Sequence, residues 1–223
     1  PVKPLVGTIV KPKIGLSPKD TAKYIYEAGA GGLTNGKDDE TLVDQDFCPI
    51  EERTKAVAEA LDRVEEEGGR MMHAINITCN ADQIVGLAED VQSWGAREIM
   101  IDVFTAGFGA VQAVAALRAQ GKRVFVLSNA ASVGKPHMVE RFAGLGYDFS
   151  AEEIVTSRDA VLGMLADYPR DMTWGLIGLA DRQQDLDALG LRVIHQSDAH
   201  FHERVDGYLF LATADWDAAR QQA

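Results

Sequence analysis

In the stretch Gly31-Gly32-Leu33-Thr34-Asn35-Gly36-Lys37-Asp38-Asp39-Glu40, a lysine, a one-residue gap and two adjacent acids fall at the C-terminal end of what reads as a short strand. Two carboxylates there, Asp39 and Glu40, suit a hard cation such as Mg2+, which takes oxygen ligands and keeps several of its waters. Lys37 cannot join them as an ammonium. Capped by CO2 as a carbamate, it becomes a third oxygen donor. The alternative is a charged turn at the surface with Lys37 paired to an acid, because charge runs usually mark solvated faces.

Such a cluster needs a rigid frame, and the hydrophobic pattern supplies one. The β-branched run Val6–Val10 leads into Lys11-Pro12-Lys13 and reads as a buried strand. Ser17-Pro18 then reads as an N-cap followed by a first-turn proline. Strands are expected at Met71–Ile77, Glu98–Phe104, Arg123–Leu127, Glu153–Thr156, Thr173–Ile177, Arg192–His195 and Gly207–Ala212. Helices between them are expected at Ile50–Glu67, Ala81–Trp94, Gly109–Gln120, Pro136–Leu145, from Arg158 onward and over Asp181–Leu189, with a closing helix at Asp215–Gln222. Eight or nine βα units without a strand-rich block imply an α/β fold with a parallel sheet and outer helices. A closed TIM-like barrel and an open, doubly wound Rossmann-like sheet both fit. The number of units and the 223-residue length favour the barrel.

Composition narrows the partners. Lys and Arg number 22 against 34 Asp and Glu, a net charge of −12. So acidic a chain repels phosphate backbones and anionic lipid, and no nucleic-acid or membrane partner is expected. No apolar run approaches a membrane span, and Pro1-Val2-Lys3-Pro4 carries no signal-peptide core. Cys48 and Cys79 have no metal-ligand spacing, so a cytoplasmic protein with reduced thiols is expected.

Up to about Gln112 the chain resembles the catalytic barrel of the RuBisCO large subunit, closest in flavour to RuBisCO-like proteins such as the diketo-methylthiopentyl-phosphate enolases. The resemblance is carried by GTIVKPKIGLSPKD (Gly7–Asp20), GGLTNGKDDE (Gly31–Glu40), FCPIEER (Phe47–Arg53), AINIT (Ala74–Thr78) and IDVFTAGF (Ile101–Phe108). It implies a general-base role for Lys11 with Lys13 beside it, a carbamate on Lys37, and Mg2+ held by Lys37, Asp39 and Glu40. That chemistry is coherent, since removing a proton next to a carbonyl needs a base and a cation for the enolate charge. A lysine snorkelling at a strand end is the structural alternative for Lys11. The resemblance leaves a homodimer open as the assembly. Where the family carries an acid, an apolar residue and Thr, Ile or Val before the lysine, this chain has Thr34, Asn35 and Gly36. A glycine there is expected to loosen the strand.

Beyond the fourth strand, the family's His-and-Arg pair, sixth-loop lysine and glycine-rich phosphate loops do not appear. Gly109–Val161 instead resembles the haloacid-dehalogenase-like hydrolases, through GKRVFVLSNAAS and EEIVTS, continued by IGLADRQQDLDALGLRVIH and VDGYLFLATADW. That resemblance implies phosphate binding at Ser128 with Asn129; a helix N-cap is the other reading of Ser128. Its paired aspartates are represented by Asp102 and then Phe104, so the acid–base partner is missing. Lys135 follows Ser128 too closely to be the hydrolase lysine.

Together the two resemblances imply an engineered chimera in one domain, a RuBisCO-like half-barrel over 1–112 and a hydrolase-like half over 113–223, with no native reaction. The alternatives are Mg2+-dependent enolisation of a phosphorylated ketone and a Mg2+ or phosphate binder without turnover. His195, His200 and His202 in HQSDAHFHERVD invite a zinc reading, but their spacing fits no metalloprotease pattern and a solvated loop is the competing reading.

Overall fold

The computed structural model describes residues 6–165, 167–179 and 184–213. The chain divides after Arg123 into two compact units. In the first, β1 (Gly7–Ile9), β2 (Asn35–Lys37), β3 (Met72–Asn76) and β4 (Glu98–Met100) form one sheet in chain order. Every pairing is parallel, with Ile9 opposite Lys37, Lys37 opposite Ala74, and Asn76 opposite Met100. Parallel neighbours require crossover connections. These are α1 (Pro18–Ala30), α2 (Ile50–Glu66) and α3 (Ile84–Ser93), while α4 (Val103–Ala106) and α5 (Gly109–Ala119) follow β4.

The start of α1 follows from its sequence. Ser17 Oγ accepts the Asp20 amide N–H, and Pro18 occupies the first turn, where no intrahelical donor is needed. In α2, the buried Val57, Leu61 and Val64 recur at helical spacing and form one apolar stripe. That stripe joins Ile25 of α1, Ile75 and Ile77 at β3, and Ile84 and Val91 of α3 in one core. Each such side chain removed from water contributes about 1.5–3 kcal/mol. Ala113 and Leu117 of α5 belong to the same core, although they lie past the sequence-based join at residue 112.

In the second unit, β5 (Val126–Ser128) pairs in parallel with β6 (Ile154–Thr156). A separate sheet of order β8-β7-β9 contains β7 (Thr173–Ile177), β8 (Arg192–His195) and β9 (Gly207–Phe210), also parallel. The helices are α6 (Lys135–Gly144), α7 (Ser157–Leu165) and α8 (Gln184–Ala188). Trp174 and Leu176 of β7 and Leu209 of β9 lie in one core with Leu165 of α7 and Leu186 of α8.

The α/β class with parallel strands is as the sequence reads. The described strands form three hydrogen-bonded sheets, so the single closed ladder expected for a barrel is not present among them. The fourth strand is shorter than expected. Asp102 accepts the Phe104 amide N–H and turns the chain into α4, leaving Phe104 exposed. The helix expected at Asp215–Gln222 lies outside the described residues.

Gly29 of α1 packs tightly beneath α2: an added Cβ would stand 2.8 Å from Val64 Cγ2 and 3.1 Å from Met71 Sδ. Alanine there gains roughly 0.5–1 kcal/mol of helix preference but overpacks the core by about 1–3 kcal/mol. Gly29→Ala is therefore expected to lower stability in a urea titration. A more stable variant would show that α1 and α2 can separate without loss.

Candidate functional site

Side chains alternate between the two faces of a strand, and this alternation divides the Lys37–Glu40 segment. Asp38 extends the ladder, its amide donating to Ala74 O at 3.0 Å. Gly36 and Asp38 turn toward the helices, while Lys37 and Asp39 take the opposite face.

On the helix side, Asp38 and Arg53 are fully buried and His73 is 1 % exposed. Asp38 Oδ2 accepts from Arg53 Nε at 3.1 Å and from the Asn76 amide at 3.0 Å. Its Oδ1 lies 2.9 Å from His73 Nε2. Arg53 Nη1 donates to Cys48 O at 2.8 Å, which ties α2 to the loop before it. Burial alone would raise the Asp38 pKa; the His73 hydrogen bond, the neighbouring charges and the Asn76 amide outweigh it and hold the carboxyl below its ordinary value. Sequence reading passed over Asp38 and Arg53. The alternation was the available signal, because an acid flanked by outward residues on a strand must find a buried partner.

The glycine before Lys37 has a packing reason. A Cβ at Gly36 would meet His73 Nδ1 at 2.8 Å, Met71 Cε at 2.9 Å and Ile25 Cδ1 at 3.2 Å. The space that a side chain would take at Gly36 is thus filled by His73, Met71 and Ile25. Beside it, Asn35 Nδ2 donates to Glu98 Oε2 at 3.3 Å. Burial raises the Glu98 pKa, and the Asn35 bond partly opposes it.

On the other face, Lys37 Nζ forms an ion pair with Glu40 Oε1, and Lys11 Nζ forms one with Asp39 Oδ2. Lys37 also lies 3.7 Å from Met100 Sδ. The Lys37 side chain is 18 % exposed and that of Glu40 48 %, so the pair runs from a largely covered strand end out to the surface. Asp39 Oδ1 accepts from the Thr41 amide at 2.9 Å and from Thr41 Oγ1 at 2.6 Å. Burial pushes Asp39 upward, but the Lys11 and Thr41 hydrogen bonds outweigh it and hold the group far below the carboxylate range. The Lys37 hydrogen bond lowers Glu40. Lys13 is exposed, with no ion pair to it among the described residues.

The donor chemistry fits a divalent cation only if Lys37 changes state. Among the described residues no three His, Cys, Asp or Glu side chains are grouped to hold a metal. Asp39 and Glu40 supply two carboxylates, and a carbamate on Lys37 would supply the third oxygen donor.

The remaining candidates stand apart from this cluster. Ser128 Oγ accepts the Ala130 amide at 3.1 Å, the turn-capping role, and Asn129 is exposed. Both oxygens of Asp102 are engaged, Oδ1 by the Phe104 amide and Oδ2 by Thr105 Oγ1. His195 donates from Nε2 to Gly178 O at 2.8 Å, while His200 pairs with Glu203 and His202 with Tyr208. No described helix is long and apolar enough to cross a membrane.

Residues 2–136 match the family model of the ribulose bisphosphate carboxylase large chain, catalytic domain. The chain belongs to that family. Residues 100–192 match a model of haloacid dehalogenase-like hydrolases. Ribulose bisphosphate carboxylase of Methanocaldococcus jannaschii is 44% identical over 111 residues, 49% of this chain and 26% of that protein. The 2,3-diketo-5-methylthiopentyl-1-phosphate enolase of Microcystis aeruginosa is 35% identical over 114 residues, 51% of this chain and 30% of the enzyme. A crystal structure of archaeal RuBisCO superposes with a TM-score of 0.51 at 30% identity, covering 58% of this chain and 30% of that one. The matched part is therefore less than a third of each relative's length.

Removing one partner of a buried ion pair costs about 3–5 kcal/mol. Asp38→Asn is expected to cost about that much in a denaturant titration followed by far-UV circular dichroism, and a loss below about 1 kcal/mol would contradict the assigned role. Asp38 and Asp39 have depressed native pKa values, so their stabilisation is complete above the unfolded value of about 3.9 and is lost as pH falls through the native ones. Asp38→Asn should accordingly flatten the acid limb of stability below about pH 4.

Proposed function

We propose that the chain is a chimera, a RuBisCO-like half-barrel over residues 1–112 joined to a haloacid-dehalogenase-like segment over 113–223. Its retained function is CO2-dependent Mg2+ binding at Lys37, Asp39 and Glu40. The carrying observation is the convergence of Lys11, Lys37, Asp39 and Glu40 into two adjoining ion pairs. As they stand, the two ammoniums and two carboxylates cancel. Capping Lys37 with CO2 replaces a positive by a negative charge and leaves the group two negative charges in excess, which one Mg2+ would neutralise. The family match over residues 2–136 and the hydrolase match over 100–192 support the two-part reading.

A bound Mg2+ would supply the positive charge that stabilises an enolate. Lys11 then has the position of a proton-moving group, since it already contacts Asp39. This favours enolisation of a phosphorylated ketone as the second reading, and the enolase of Microcystis aeruginosa among the relatives supports it. Turnover is not part of the leading proposal. Ser128 caps the Ala130 amide through its Oγ, and Asp102 caps α4 in place of pairing with a second acid, since Phe104 stands where that acid would be.

Carbon NMR with labelled bicarbonate tests the leading reading on the full chain. A Mg2+-dependent carbamate signal is expected from the wild type and not from Lys37→Ala; silence from the wild type overturns the reading. Lys11 is 57 % exposed and its partner Asp39 only 4 %, but Asp39 keeps both Thr41 hydrogen bonds when Lys11 is removed. Lys11→Ala should therefore leave the urea midpoint nearly unchanged and keep the carbamate signal. A large drop in the midpoint would make Lys11 a structural residue.

A further inference from the structure

We infer that Asn76 is the positioning residue of the metal-binding carboxylates, setting the direction of Glu40 above all. The inference rests on the Mg2+ reading of Lys37, Asp39 and Glu40. Asn76 ends β3 and is fully buried. Its Nδ2 donates to Asp39 O at 3.1 Å and to Glu40 O at 2.9 Å. These two carbonyls belong to the peptide planes on either side of the Glu40 Cα. Fixing both planes fixes the backbone of Glu40 and therefore the direction in which its side chain leaves the chain.

The amide is itself held in place. Its Oδ1 accepts from the Thr78 amide at 3.0 Å and from Thr78 Oγ1 at 2.6 Å, and that hydroxyl accepts from the Asp102 amide at 2.8 Å. The backbone N–H of Asn76 donates to the buried Asp38. Both hydrogens and both lone pairs of the side chain are thus used, and no flip of the amide keeps the pattern. Alanine provides no donor, serine one, and aspartate sets an acceptor against two carbonyls. Asp39 has a separate fixation through Thr41, so the loss at Asn76 falls chiefly on Glu40.

A merely structural asparagine would lower stability without a selective effect on metal. The test compares wild type, Asn76→Ala, the milder Thr78→Val, and Val57→Ala as a core-destabilised control, each as the full chain. Mn2+ affinity is titrated by electron paramagnetic resonance in bicarbonate, and exchange of the Thr41 and Leu42 amides is followed by NMR without metal. Asn76→Ala is expected to weaken Mn2+ binding by about tenfold or more, as outer-shell changes do, and to speed exchange at both amides. Thr78→Val should move both readouts less, in the same direction, and Val57→Ala neither. Wild-type affinity in Asn76→Ala, or an equal loss in Val57→Ala, overturns the inference. If the wild type itself takes up no Mn2+, the Mg2+ reading falls, and exchange alone decides: unchanged rates in Asn76→Ala overturn the positioning role, and faster rates support it. If Asn76→Ala does not fold, Thr78→Val decides by the same criteria.

Discussion

The first unit depends on one buried charge. Asp38, fully out of water, is neutralised by Arg53 and hydrogen-bonded by His73 and the Asn76 amide. Desolvating a carboxylate and a guanidinium is unfavourable by several kcal/mol per ion unless their remaining hydrogen-bonding positions are filled. Here they are mostly filled from three elements at once: the end of β2, helix α2 and strand β3. The network therefore contributes less as net stability than as geometry, because these elements can hold Asp38 only in one arrangement.

That geometry reaches the opposite face of the strand. Burying Asp38 among the helices turns Lys37 and Asp39 the other way, where they meet Lys11 and Glu40. Asn76 belongs to both sides: its backbone amide serves Asp38 and its side chain holds the carbonyls of Asp39 and Glu40. The stability of the fold and the placement of the candidate ligands thus share one residue. Gly36 belongs to the same arrangement, because a Cβ there would crowd the His73 ring that contacts Asp38.

Much of this was legible in the sequence, and the limits have physical causes. The cap at Ser17, the stripe of α2 and, among the described residues, the alternation of strands and helices follow from local patterns, which the structure repeats. The chemical cluster was legible from the types and spacing of Lys37, Asp39 and Glu40. Asp38 was hidden in the same run because charge spacing does not say which face a residue takes; its partners lie 15 and 35 positions away. The shortening of β4 was missed because Ile101–Phe104 is apolar enough for a strand, while a single capping carboxylate at Asp102 decides for a helix. Gly36 read as a weakness because its neighbour in space, His73, is remote in sequence.

The most direct measurement is native-state hydrogen exchange of the Asp38 and Asn76 amides across a urea series. Both donate inside the buried network, Asp38 to Ala74 O and Asn76 to Asp38 Oδ2. If the network anchors the first unit, both amides should exchange only through its global unfolding, with the full denaturant dependence of that transition. Rapid, urea-independent exchange at either amide would mean that the strand end opens locally, and that the buried charge does not hold the candidate site in place.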